Sequence, residues 1–98
     1  MGKIRHQIID NKVYNFHTVV VHEFSMGDVE DPDLYAAEPL YKWEKSEAGE
    51  FVMGNATEPP IWHRQADSYN YGYKYIILAE LEEKKLSEFY LRFDKSKV

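Results

Sequence analysis

Tyr69, Tyr71, Tyr73 and Tyr75 stand at every second position of the chain. On a β-strand that spacing puts all four side chains on one face. Ile77, Ala79 and Leu81 continue the same face. Tyrosine buries a large ring and keeps a hydroxyl that can meet water. Such a row suits a protein interface, or a platform on which nucleic-acid bases stack. A third reading needs no ligand: the rings pack against a helix and the hydroxyls reach the rim. It is favoured over the other two, because aromatic side chains dominate the cores of small domains. Of the two active readings the interface leads, since a stacking platform sits in a positive groove and only Lys74 and Arg64 lie near this row. Trp43 and Trp62 both read first as residues that tie the helix to the sheet; exposed instead, Trp62 would join the candidate interface as a hot spot.

The four histidines are the next candidates. His17 and His22 are five apart, so a regular strand points them to opposite faces. His22 and His63 meet if their strands neighbour each other, with Glu23 or Asp67 supplying a carboxylate. Two imidazoles and one carboxylate make a legitimate zinc site. Nothing in the spacing requires one, and a half-buried histidine with satisfied hydrogen bonds is the commoner arrangement. The reading is therefore no cofactor, with His22, His63 and Asp67 as the metal candidates to check. The acidic segment Asp28-Val29-Glu30-Asp31-Pro32-Asp33 does not follow the calcium-loop spacing. Asp31 and Asp33 are better explained as a helix cap and a partner for the helix dipole.

Several chemistries are excluded or lack support. The chain has no cysteine, which removes disulfides, thiolate nucleophiles and cysteine-based metal sites. It has no Gly-rich phosphate loop, no G-x-S-x-G elbow and no H-E-x-x-H. The five serines lack the context of a nucleophile, and no acid–base carboxylate pair can be singled out among 17 acids. A formal net charge of −5 repels phosphate backbones, so nucleic-acid binding is disfavoured. The charge is uneven: Glu23 to Glu38 holds six acids and no base, whereas Lys84 to Val98 holds five bases against Glu88 and Asp94. Met1 to His6 shows no signal-peptide core, and no apolar run approaches the ~20 residues of a membrane span. The expectation is a cytoplasmic protein with no membrane partner.

These residues must be positioned by short elements. Length and composition (98 residues, 44% apolar) predict a single folded domain over 1–98, with 1–12 and 94–98 able to fray. Residues 4–9 and 13–24 read as strands separated by an Asp10-Asn11 turn. Ser25 to Asp31 reads as a loop. From Asp31-Pro32 a helix runs into the low fifties, kinked or restarted at Pro39. Ile61 to Asp67 and Tyr73 to Glu82 read as strands. Leu86 to Phe93 reads as a strand closing a hairpin, against a rival helix over Ala79 to Phe93 with Leu86, Phe89, Tyr90 and Phe93 at helical spacing. The fold class is α+β, two-layer, with one kinked helix packed on a four- or five-stranded mainly antiparallel sheet.

The block Trp43 to Met53, then Pro60-Ile61-Trp62-His63 and Tyr71-Gly72-Tyr73, resembles small proteins of tailed bacteriophages of marine cyanobacteria over roughly Val20 to Phe93. The resemblance implies a phage origin, a stage inside a bacterial host, and a virion or assembly role. It carries no catalytic residue with it. The expected function is a non-enzymatic interaction or assembly protein, acting through a homo-oligomeric interface or on another phage protein. The acidic loop of one copy meeting the basic tail of the next would be one way to build it. The alternatives are a small metal-dependent enzyme using His22, His63 and nearby carboxylates, and a single-stranded nucleic-acid or effector-binding module using the tyrosine face.

Overall fold

The computed structural model describes residues 3–27, 30–67 and 72–93. The elements are β1 (Lys3–Ile9), β2 (Lys12–Gly27), α1 (Pro32–Lys45), α2 (Glu47–Asn55), β3 (Ile61–Asp67), β4 (Gly72–Glu82) and α3 (Glu83–Phe93). The four strands form one antiparallel sheet in the order β1-β2-β4-β3. The helices pack on one of its faces, so the fold is the expected α+β arrangement of two layers.

β2 is the spine of the molecule. Its 16 residues, at about 3.3 Å each, span about 53 Å, and the longest dimension of the protein is 52 Å. β2 pairs with β1 over Lys12 to Thr18 and with β4 over Phe16 to Gly27. Before Phe16 it therefore runs with β1 alone, as a two-stranded arm. Asp10 and Asn11 close this arm with φ of 50° and 65°. Two central residues in the left-handed region make a type I′ turn, whose twist matches that of a hairpin.

Along β4, Tyr75, Ile77, Ala79 and Leu81 alternate inward and are buried. Ile77, Ala79 and Leu81 meet Val21, Trp43, Val52, Leu86 and Phe89 in one core, while Tyr75 packs on Phe24 and Trp62. β2 contributes through a bulge. Val20 pairs with Leu78 and His22 with Ile77, which leaves Val21 as the extra residue. A bulge shifts the alternation by one position. As a result His17, opposite Leu81, and His22, opposite Ile77, lie on the same helix-covered side. The expectation of opposite faces fails for that reason.

Three element boundaries also differ from expectation. β2 continues through Ser25, Met26 and Gly27, because β4 offers Lys74, Tyr73 and Gly72 as partners. α1 runs through Pro39, and the chain breaks at Ser46 instead. Ser46 takes an extended conformation (φ −72°, ψ 164°). Its hydroxyl donates to the Trp43 carbonyl at 2.6 Å and accepts the Gly49 N–H at 3.1 Å. One serine thus closes α1 and caps α2. Gly49 makes the corner possible: a Cβ there would lie 1.8 Å from the Trp43 carbonyl oxygen.

The third difference is α3. Leu86 to Phe93 is helical, so the expected hairpin strand is absent and the single kinked helix becomes three helices. β4 already has β2 on one edge and β3 on the other, which leaves no edge for a further strand. The helix brings Leu86 and Phe89 to one buried side, whereas a strand would have pointed them to opposite faces. The Glu82 carboxylate accepts the Lys84 N–H at 2.6 Å and opens the helix. Among the described residues no helix is long and apolar enough to cross a membrane.

Candidate functional site

The tyrosine row is built from β4, and two of its members, Tyr69 and Tyr71, lie outside the described residues. Tyr73 and Tyr75 both stand on the helix side of the sheet. Tyr75 is fully buried, with its ring stacked on Phe24 at 5.2 Å and tilted against Trp62 at 5.5 Å. Its hydroxyl donates to Asp33 Oδ1 at 2.7 Å. Burial, with the Asp33 carboxylate beside it, raises the phenol above its ordinary pKa. Arg64, opposite Tyr75 on β3, reaches Asp33 at 3.2 Å and lies over the Tyr73 ring at 4.8 Å. The cluster ties the first turn of α1 to β3 and β4. Tyr75 has no surface left for a partner and is a core residue, so the exposed-platform reading fails at that position. Trp62 is half-exposed, beside a crevice of about 160 Å³ under Leu40, Trp43 and Met53.

Asp33 therefore does more than complement a dipole, while Asp31 does less than expected. Asp31 occupies the N-cap position of α1, but its side chain makes no capping hydrogen bond.

The histidine candidates separate. His22 faces Ile77 across β2 and β4, and His63 faces Ile76 across β3 and β4. Ile76 and Ile77 are consecutive, so the two imidazoles project from opposite faces of the sheet. They do not converge on one ion. Asp67 ends β3 opposite Gly72, four positions from His63. Among the described residues no three His, Asp or Glu side chains are grouped as metal ligands. His22 lies nearly parallel to Trp43, with ring centroids 5.9 Å apart. Burial pushes its imidazole below the ordinary pKa, against the opposing pull of Glu23. Trp43 anchors α1 as expected. Its indole N–H is buried without a hydrogen-bond partner among the described residues.

On the opposite face of the sheet, Arg5 of β1 grips Glu80 of β4 across β2. Two guanidinium nitrogens meet the carboxylate at 2.9 and 3.2 Å, and Thr57 donates to it at 2.7 Å. Arg5, followed by Thr57, holds the Glu80 carboxyl below its ordinary pKa. These residues and His63 line an open groove of about 750 Å³. Arg5 also covers the Phe16 ring at 4.4 Å. The contacts fasten β1 to the body of the sheet.

Sequence reasoning missed the two-stranded arm. Ile4 pairs with His17, His6 with Asn15 and Ile8 with Val13, all on the side that the helices cover elsewhere. Glu83, the first residue of α3, bonds Asn15 and His17 at 3.3 Å and marks where the helical layer stops. Ile4, beside His17 on the edge strand, and Ile8 and Val13 farther out are 59%, 72% and 64% exposed. The signal was present in the sequence: Ile4 and Ile8 alternate with Arg5 and Gln7, and the Asp10-Asn11 turn sets Val13 opposite Ile8. Comparison of the chain with protein families, with curated proteins and with solved structures finds no match.

Proposed function

We propose that the protein works by associating with copies of itself, as a non-enzymatic assembly component. The reading is carried by one observation: the β1–β2 hairpin presents Ile8 and Val13 in its two-stranded arm, and Ile4 at the arm's base, to solvent on a face that the helices leave open. Grouped apolar side chains on a small protein mark places where another surface docks. A two-stranded ribbon is also only marginally stable without further packing, so an occupant would support the arm as well. The resemblance to small tailed-phage proteins agrees with this role, that of a virion or assembly component made in the cytoplasm of a bacterial host.

The driving force on this reading is apolar burial with backbone pairing. Lys85 and Arg92 of α3 each approach Glu88, which leaves less free positive charge for an acidic loop to seek. The test is mass in solution by size-exclusion chromatography with light scattering, at low and at high salt and over a range of concentrations. The expected result is a mass at least twice 11.6 kDa, retained at high salt. A monomer at all concentrations and both salts would overturn the proposal. An oligomer that dissociates at high salt would restore the charge-driven alternative.

A further inference from the structure

We infer that the second copy docks along β1 itself, in an antiparallel β1–β1 pairing centred on His6, so that two four-stranded sheets join into one. The inference rests on the self-association proposed above and specifies its geometry.

The hydrogen-bonding parity of the hairpin comes first. In a hairpin closed by a two-residue turn, the residues flanking the turn exchange both backbone hydrogen bonds. Ile9 and Lys12 are those residues. The N–H and C=O groups of Ile9, Gln7 and Arg5 therefore point toward β2, and those of Ile8, His6 and Ile4 point away. β1 is an edge strand, so among the described residues these outward groups face no strand of their own sheet. An edge of this kind is a template for another strand.

Symmetry then restricts the choices. A two-fold axis joining two antiparallel copies of one strand must pass between a residue and its own copy, and it keeps the same face of both sheets on the same side. Centring on Arg5 sets Arg5 against Arg5 of the second copy, and like charges directly opposite are destabilising. Centring on Gln7 sets Ile8 against His6 of the second copy and shortens the overlap. Centring on His6 sets Ile4 against Ile8 of the second copy and Ile8 against Ile4. It also sets Arg5 against Gln7, and Lys3 at the position facing Ile9. The outward-pointing residues Ile4, His6 and Ile8 are then the ones that exchange backbone hydrogen bonds. The isoleucines form two apolar pairs, each flanked by a Val13, with the two His6 side chains between them, on the side where both helical layers stand. Hydrogen-bond parity allows each of these registers; side-chain pairing, charge and length of overlap select the one centred on His6.

Seven residues of strand span about 23 Å. The contact is small, at the low end of specific interfaces, so the association is expected to depend on concentration.

The absence of native cysteine makes the register directly testable. In a hydrogen-bonded antiparallel pair the Cα atoms are about 5.5 Å apart, within disulfide range. The variants are His6→Cys, Tyr41→Cys on α1 and His63→Cys on β3, each oxidised mildly at a concentration where the wild type is associated. A covalent dimer is expected for His6→Cys and not for the other two. In parallel, light scattering of Ile8→Lys is expected to show association weakened at least tenfold, with an unchanged circular dichroism spectrum. Ile8 is exposed, so this substitution leaves the core intact. An oligomer that cross-links at Tyr41→Cys or His63→Cys, or that tolerates Ile8→Lys, overturns the β1 pairing and leaves self-association standing. A wild-type protein that is monomeric throughout overturns both.

Discussion

Replacing Gly49 with alanine should destabilise the protein even though alanine is the better helix former. The intrinsic preference for alanine inside a helix is about 1 kcal/mol. Against it stands the corner between α1 and α2. The new Cβ would lie 1.8 Å from the Trp43 carbonyl oxygen and 2.7 Å from its carbon. An ordinary carbon–oxygen contact is about 3.3 Å, so α2 would have to move by roughly 1.5 Å. Both obstructing atoms are backbone and cannot turn aside. Moving α2 also strains the Ser46 cap, which holds the Gly49 N–H at 3.1 Å and the Trp43 carbonyl at 2.6 Å. Overpacking of this kind costs about 1–3 kcal/mol, and a lost cap about 1 kcal/mol. After the gain in helix preference is subtracted, a net loss of about 1–3 kcal/mol remains. For a domain of this size each kcal/mol lowers Tm by about 4–8 °C. Gly54→Ala is the matched control, since a Cβ there meets nothing within 4 Å. It should be neutral or stabilising by up to about 1 kcal/mol. Urea unfolding of both variants, followed by circular dichroism, gives the comparison. Gly49→Ala as stable as the wild type, or more stable, would refute the close approach of α2 to Trp43.

Three further outcomes are expected. Tyr75→Phe keeps the ring and loses the hydrogen bond to Asp33. It should cost about 1–2 kcal/mol and speed amide exchange in the first turn of α1, whereas unchanged exchange there would show that the bond does not hold the helix. Asn11→Gly relieves a non-glycine residue at φ 65° and should raise stability by about 0.5–1 kcal/mol in thermal unfolding, while a loss would argue against the type I′ turn. His22 should titrate below the ordinary imidazole pKa of about 6.5 in an NMR pH series. Because its folded pKa is lowered, the unfolded chain takes up the proton first as pH falls. Its contribution is therefore complete above about 6.5 and is lost as pH drops from there toward the folded value. A midpoint above 6.5 would contradict the desolvated stack on Trp43.

Local chemistry was enough to place most elements. Asp10-Asn11 announced a tight turn, Asp31-Pro32 a helix start, and Pro59-Pro60 a break before β3. Alternation along Tyr73 to Leu81 identified β4 and grouped its tyrosines with Ile77, Ala79 and Leu81 on one face, without deciding whether that face lay inside or outside; packing was the favoured reading, and Tyr75 is buried. Ser46, three residues before Gly49, carried a capping signal that Pro39 overshadowed. Pro39 removes one donor from α1, and the helix continues past it.

Tertiary structure decided what pairing and packing decide. Whether Leu86 to Phe93 is strand or helix depends on whether β4 has a free edge, and that is known only from the positions of β2 and β3. The bulge at Val21 reversed the relation between His17 and His22, because one inserted residue moves everything beyond it to the other face. His22 and His63 were separated by the parity of their register on Ile76 and Ile77. The exposed strip of Ile4, Ile8 and Val13 likewise depends on where the helices end. Periodicity states which side chains share a face, but only the assembled layers determine which parts of that face are covered.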